Sequence, residues 1–105
     1  MSFSLIFLFI ANVLSATTNE KTTLTGKITD YETGEPLPGV NIYVPDLKTG
    51  TASDNEGNYK LENLPATKIL IQVSLVGYKT IAETVDLSTT TKMDFALEPS
   101  IKEMT

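Results

Sequence analysis

The sequence predicts an all-β fold, a seven-stranded antiparallel β-sandwich with Greek-key connections, preceded by a signal peptide. Three observations carry this. From Thr22 onward apolar residues recur with period two rather than 3.6, which is the mark of strands with one face buried. Turn-forming clusters of Gly, Pro, Asp and Asn separate these runs at short, fairly regular intervals. No segment beyond residue 20 carries the apolar stripe of an amphipathic helix.

The opening segment differs from the rest. Residues 1–19 hold no charged side chain, and charge runs from Glu20 to Glu103. Leu5 to Leu14, LIFLFIANVL, has the length of a signal-peptide core and is followed by the small residues of SATT, where a peptidase would cut after Ser15 or Ala16. A membrane-spanning helix needs about 20 apolar residues, and this run is shorter. The segment departs from a good signal in one respect, because MSFS lacks the usual basic residue. The boundaries expected are a signal peptide at 1–19, the sandwich at 20–98 and the start of a polar linker at 99–105.

The strands follow in order. TLTGKITD sets Leu24, Gly26 and Ile28 on one face and Thr25, Lys27 and Thr29 on the other. GVNIYV turns Val40, Ile42 and Val44 inward and Asn41 and Tyr43 outward, and GTAS is a short strand. NYKLENL alternates Tyr59 and Leu61 with Lys60 and Glu62. KILIQVSLVGY, the longest run, puts Ile69, Ile71, Val73 and Leu75 on the core side, leaving Leu70 and Val76 outside as a prospective apolar patch with Tyr43. KTIAETVDL and TKMDFALEP complete the set, with Met93, Phe95 and Leu97 opposed to Asp94 and Ala96.

The turns are chemically specific. In DNEG, Asp54 is placed to accept backbone N–H bonds and Gly57 to adopt positive φ in a tight hairpin. ETGE has the same form around Gly34. Leu37-Pro38-Gly39-Val40 suits a type II turn, with proline setting φ at the second position and glycine supplying positive φ at the third. That turn is a corner aiming Val40 into the core, not a ligand loop. Pro45 and Pro65 stand where strands must stop, since proline donates nothing to a ladder.

Composition excludes most chemistry. The 105 residues suffice for one small domain, and 41% hydrophobic content is normal for a globular chain. All eight basic residues are lysine, and there is no Arg, His, Cys or Trp. Without His or Cys, a transition-metal site would have only carboxylates, a poor donor set. The same absences remove Ser-His-Asp and Cys-His nucleophiles, and the lack of arginine removes bidentate phosphate clamps. We therefore expect no enzyme activity, and no catalytic, cofactor-binding or metal-ligating residues. A net charge of −5 with scattered lysines argues against nucleic acid. The lack of cysteine also excludes a lipid-anchored cysteine at the cleavage site.

LTGKITDYETGEPLPGVNIYV, GTASDNEGNYKLENLP and ILIQVSLVGYKT, taken together, resemble the carboxypeptidase regulatory-like domain, a transthyretin-like sandwich. The likeness runs from about Leu24 to Leu97 and rests on four motifs in the family's order: G-x-I-x-D (Gly26, Ile28, Asp30), P-L-P-G-V (Pro36 to Val40), D-x-x-G-x-Y (Asp54, Gly57, Tyr59) and V-G-Y (Val76 to Tyr78). The resemblance implies a non-catalytic domain, fused in other proteins to metallocarboxypeptidases or found at the mature N-terminus of SusC-like TonB-dependent outer-membrane receptors. A signal-like segment followed at once by this domain is similar to the receptors. The expectation is a periplasm-facing module that positions or modulates the coupling segment, with the receptor plug and barrel or the energising complex as protein partners and no membrane span of its own. The alternative is a stand-alone secreted β-sandwich that binds carbohydrate or protein.

Three sharper readings find less support in the residues. An EF-hand calcium loop starting at Asp54 would need a glutamate at its twelfth position, which is Pro65. Transthyretin-like folds include a hydrolase of 5-hydroxyisourate, whose activity the resemblance ties to His, Arg and a C-terminal tetrapeptide that this chain lacks. A sugar platform would need exposed aromatics; with Tyr59 and Tyr78 assigned to the core or corners, only Tyr31 and Tyr43 remain, too few for one.

Overall fold

A computed structural model describes residues 20–100; the signal-peptide expectation lies outside the described residues. Seven strands follow one another with no helix among them: β1 (Lys21–Asp30), β2 (Asn41–Val44), β3 (Thr49–Ala52), β4 (Asn58–Pro65), β5 (Lys68–Ser74), β6 (Ile81–Asp86) and β7 (Phe95–Leu97). They form a three-stranded sheet of order β4-β1-β7 and a four-stranded sheet of order β3-β2-β5-β6. The inner faces of both contribute to one core, with Leu24, Ile28, Leu64, Leu97, Ile42, Val44, Ile71 and Val73 fully buried. The strand residues predicted from alternation to face inward are buried, or in Leu75 and Met93 packed partly buried against the core.

One feature corrects the expectation of an entirely antiparallel sandwich. The four-stranded sheet is antiparallel throughout, but β7 pairs with β1 in parallel, in the register Ile28–Phe95, Thr29–Ala96 and Asp30–Leu97. The three-stranded sheet is therefore mixed. A period-two pattern reports which face of a strand is buried. It carries no information on the direction of the neighbour, which is why the parallel pair escaped it.

A second departure lies in β4. Thr22 pairs with Leu64 and Leu24 with Leu61, so Glu62 and Asn63 together oppose Thr23 in a bulge. Asn63 sits there at φ 58°, in the left-handed region that asparagine tolerates better than most residues. The extra residue reverses the parity of the strand, so Leu61 and Leu64, three apart, both reach the core.

The DNEG turn forms as the sequence predicts but joins different partners. Asp54 Oδ1 accepts the N–H groups of Glu56 and Asn58, each at 2.9 Å, and Gly57 has φ 82°. The strands on either side belong to opposite sheets, so the turn carries the chain across the sandwich and does not close a two-stranded hairpin.

Candidate interaction surface

The four sequence motifs converge at one pole, where β1, β3, β5 and β7 end and β2 begins. Gly39 has φ 74°, as the corner requires. The corner is closed by a residue outside it: Ser53 Oγ accepts the Val40 N–H at 2.9 Å and donates to the Leu37 carbonyl at 2.6 Å. The Ser53 backbone adds bonds from its N–H to Val40 and from the Gly39 N–H to its carbonyl, both 3.0 Å. The next link runs from Leu37 N–H to the Ile28 carbonyl at 3.0 Å, while Ile28 N–H donates to the Gly57 carbonyl at 2.8 Å. G-x-I-x-D, P-L-P-G-V and D-x-x-G-x-Y are thus stitched together through their backbones.

The fourth motif joins by side chain. The Tyr78 hydroxyl donates to Asp30 Oδ2 at 2.7 Å, and Asp30 Oδ1 caps the following turn by accepting Glu32 and Thr33 N–H at 2.7 and 3.0 Å. These bonds, Tyr78 foremost, hold the Asp30 carboxyl below its usual range, and the same contact pushes the Tyr78 phenol up. Tyr59 is buried beside Phe95, and its hydroxyl donates to the Met93 carbonyl at 2.5 Å. Burial first, then the Asp94 charge, raises its pKa. Gly26 makes room for this contact, because a Cβ there would collide with the Met93 carbonyl. Among the described residues, every buried side-chain polar atom has a partner. The polar side chains of the motifs, Asp30, Asp54, Tyr59 and Tyr78, are occupied in hydrogen bonds within the domain.

The two outer faces of the sandwich differ. On the three-stranded sheet, Lys27, Lys60, Glu62 and Asp94 stand outward, with exposed ion pairs Lys60–Glu62 at 3.3 Å and Lys92–Asp94 at 3.7 Å. The register of the four-stranded sheet aligns Gly50, Tyr43, Gln72 and Ala82 in one row, Ala52, Asn41 and Ser74 in the next, and Leu70 with Thr84. Among the described strand residues, the charges on that face are the Lys68–Asp86 pair at its far end. In a chain with 20% charged residues, a sheet face whose strand residues carry one ion pair, at its far end, stands out from the charged face opposite.

That face opens, at the motif pole, onto a shallow cleft of about 410 Å³ lined by Gly39, Asn41, Ser74, Leu75, Val76 and Thr80. Val76 stands at its rim 96% exposed, while Leu70 and Tyr43 are half-buried. Of the expected patch of Leu70, Val76 and Tyr43, Val76 alone is fully exposed, and it lies in the turn beyond the end of β5 at Ser74. Tyr31 is also exposed, but it follows β1 and so belongs to the other sheet from Tyr43. Ser53 and Thr80 were not singled out from the sequence; a small hydroxyl residue leaves no periodic signal.

Among the described residues, no group of three His, Cys, Asp or Glu side chains is placed to hold a metal ion, and no helix is long and apolar enough to cross a membrane. The arrangement supplies hydrogen-bonded rigidity and a neutral surface.

Comparison with known proteins agrees with this picture. Residues 24–105 match the CarboxypepD_reg-like domain family. The chain is 34% identical over 77 residues to TonB-dependent receptor P3 of Formosa agariphila, covering 73% of this chain and 8% of that protein. It is 29% identical over 104 residues to TonB-dependent receptor P39 of the same organism, covering 99% of this chain and 10% of that protein. The chain thus spans a tenth or less of the length of these relatives. Among solved structures, the Bacillus anthracis TIE protein superposes with a TM-score of 0.54 at 18% identity, over 75% of this chain and 16% of the other. A 3-chlorocatechol 1,2-dioxygenase from Rhodococcus opacus gives 0.56 at 13% identity, over 78% and 60%. These two likenesses are of fold alone.

Proposed function

The chain belongs to the CarboxypepD_reg-like domain family, and from that premise we propose that it is the non-catalytic, periplasm-facing N-terminal module of a TonB-dependent outer-membrane receptor. The observation that carries the reading is the 34% identity to a TonB-dependent receptor across 73% of the chain. In this reading residues 1–19 direct export, 20–98 form the sandwich with Greek-key connections, and 99–105 begin the linker to the receptor body. The sandwich positions or modulates the coupling segment that follows it, while plug and barrel recognise and transport the substrate.

The neutral face is the surface by which the module docks on the receptor's own body. Ser100 N–H donates to the Gly77 carbonyl at 2.8 Å, so the chain leaves the sandwich beside Val76 and the cleft. A body tethered there is held at high effective concentration against this face, and a weak contact suffices. A weakly charged surface with one aromatic and two aliphatic side chains fits such an intramolecular contact. A photo-crosslinking residue at Gln72, compared with one at Lys60, tests this in cells. The reading expects an intramolecular crosslink from Gln72 and none from Lys60. Crosslinks from Gln72 only to the energising complex, or equal yields from both positions, would contradict it.

A further inference from the structure

We infer that the domain is a force-bearing spacer, built to keep its length when its two ends are pulled apart. The inference rests on strand topology and not on the receptor reading. The chain enters along β1 and leaves along β7, and these two strands are parallel neighbours. Lys21 pairs with Pro65 at one pole, whereas Leu97 and the segment after it lie at the other. Ten residues of β1, at ~3.3 Å each, place the two ends roughly 30 Å apart.

In that geometry tension draws β1 toward its start and β7 toward its end, so the strands must slide past one another. Every bond between them shares the load. The β1–β7 ladder is extended at both ends. Tyr31 N–H donates to Leu97 at 2.8 Å, Thr25 N–H to Thr91 at 3.1 Å and Met93 N–H to Thr25 at 2.8 Å. The Lys27 N–H adds a bond to Asp94 Oδ1 at 2.9 Å. β1 is also the middle strand of its sheet, so sliding it breaks the ladder to β4 and drags the fully buried Leu24 and Ile28 through the core. Bonds loaded together fail together, whereas a ladder opened from one end fails one bond at a time.

The outgoing end is held a second time, from the opposite sheet. Lys79 N–H donates to the Glu98 carbonyl and Ser100 N–H to the Gly77 carbonyl, both at 2.8 Å, and the Lys79 and Glu98 side chains pair at 3.3 Å. Residues 77–79 belong to the β5–β6 connection, which Tyr78 already ties to Asp30. A pull on the outgoing chain is thereby distributed over both sheets before it reaches β7.

Single-molecule force spectroscopy on the 105-residue chain set between marker domains tests this by changing only the direction of pull. The chain has no cysteine, so Glu32→Cys, in the exposed turn after β1, supplies a unique handle at the outgoing pole. Pulling between the two chain ends loads β1 and β7 in shear; pulling between residue 32 and the C-terminal end peels them apart from Tyr31–Leu97. The thermal melt of the variant, matched to the parent, establishes that both pulls act on the same fold. We expect the end-to-end unfolding force to be severalfold higher than the peeling force. Equal forces, or a lower end-to-end force, would overturn the inference.

Discussion

The Tyr78 hydroxyl lies 2.7 Å from Asp30 Oδ2 and joins the loop after β5 to the end of β1, bridging the two sheets at the motif pole. Asp30 is also the cap of the turn that leads into the Pro38-Gly39 corner. One carboxylate therefore holds both a turn and a cross-sheet contact, which ties the stability of the pole to its ionisation.

The sign of the pH dependence follows from the lowered Asp30 pKa. A carboxyl whose pKa is lower folded than unfolded contributes stability that is fully present above its ordinary value of 3.8. That contribution is lost as pH falls through the lower folded value. Tyr78→Phe removes the foremost cause of the shift. The variant is expected to melt below the parent at pH 7, with the difference shrinking as pH is taken from 4 downward. Melting curves across that range check it; a difference that stays constant through the acid range contradicts the assignment.

Gly39 and Gly57 both occupy positive φ, but their surroundings differ. A Cβ at Gly39 meets nothing within 4 Å, whereas one at Gly57 comes 2.5 Å from the Ile28 carbonyl oxygen. Valine at either position is expected to cost on the order of 1–3 kcal/mol from backbone strain, with Gly57→Val the more damaging of the two. Chemical denaturation reads both values. A Gly57→Val variant within ~0.5 kcal/mol of the parent would refute the turn assignment.

Ser53→Ala isolates the hydroxyl that closes the corner. Its removal leaves the Val40 N–H and the Leu37 carbonyl without the partner they share, a loss expected to cost about 1–3 kcal/mol. Ser53→Thr keeps the hydroxyl and is expected to recover part of the loss. An alanine variant as stable as the parent would show that water replaces the hydroxyl there.

How much of this was legible in the sequence depends on what alternation encodes. Val40, Ile42 and Val44, or Ile69, Ile71 and Val73, announce a buried face because every second side chain must be apolar. The turns at Gly34, Gly39 and Gly57 were legible because positive φ selects glycine. Alternation failed at Leu64, where the Asn63 bulge reverses parity, and it could not specify that β7 runs parallel to β1. Both depend on partner strands distant in sequence. The prospective patch of Leu70, Val76 and Tyr43 was readable as outward-facing residues. The neutral surface around it emerged only once the register had set Gln72 beside Ala82 and Asn41 beside Ser74.

The central claim, that this sandwich is the periplasmic module of a much larger outer-membrane receptor, is tested most directly by the size and location of the native protein. An antibody raised against residues 20–100 would be used on fractionated cells of the source organism. The account predicts one outer-membrane band of roughly the size of the receptors this chain resembles, about tenfold larger than the chain itself. A band of the chain's own size in the periplasm or the medium, with none in the outer membrane, would contradict it and leave a stand-alone secreted sandwich.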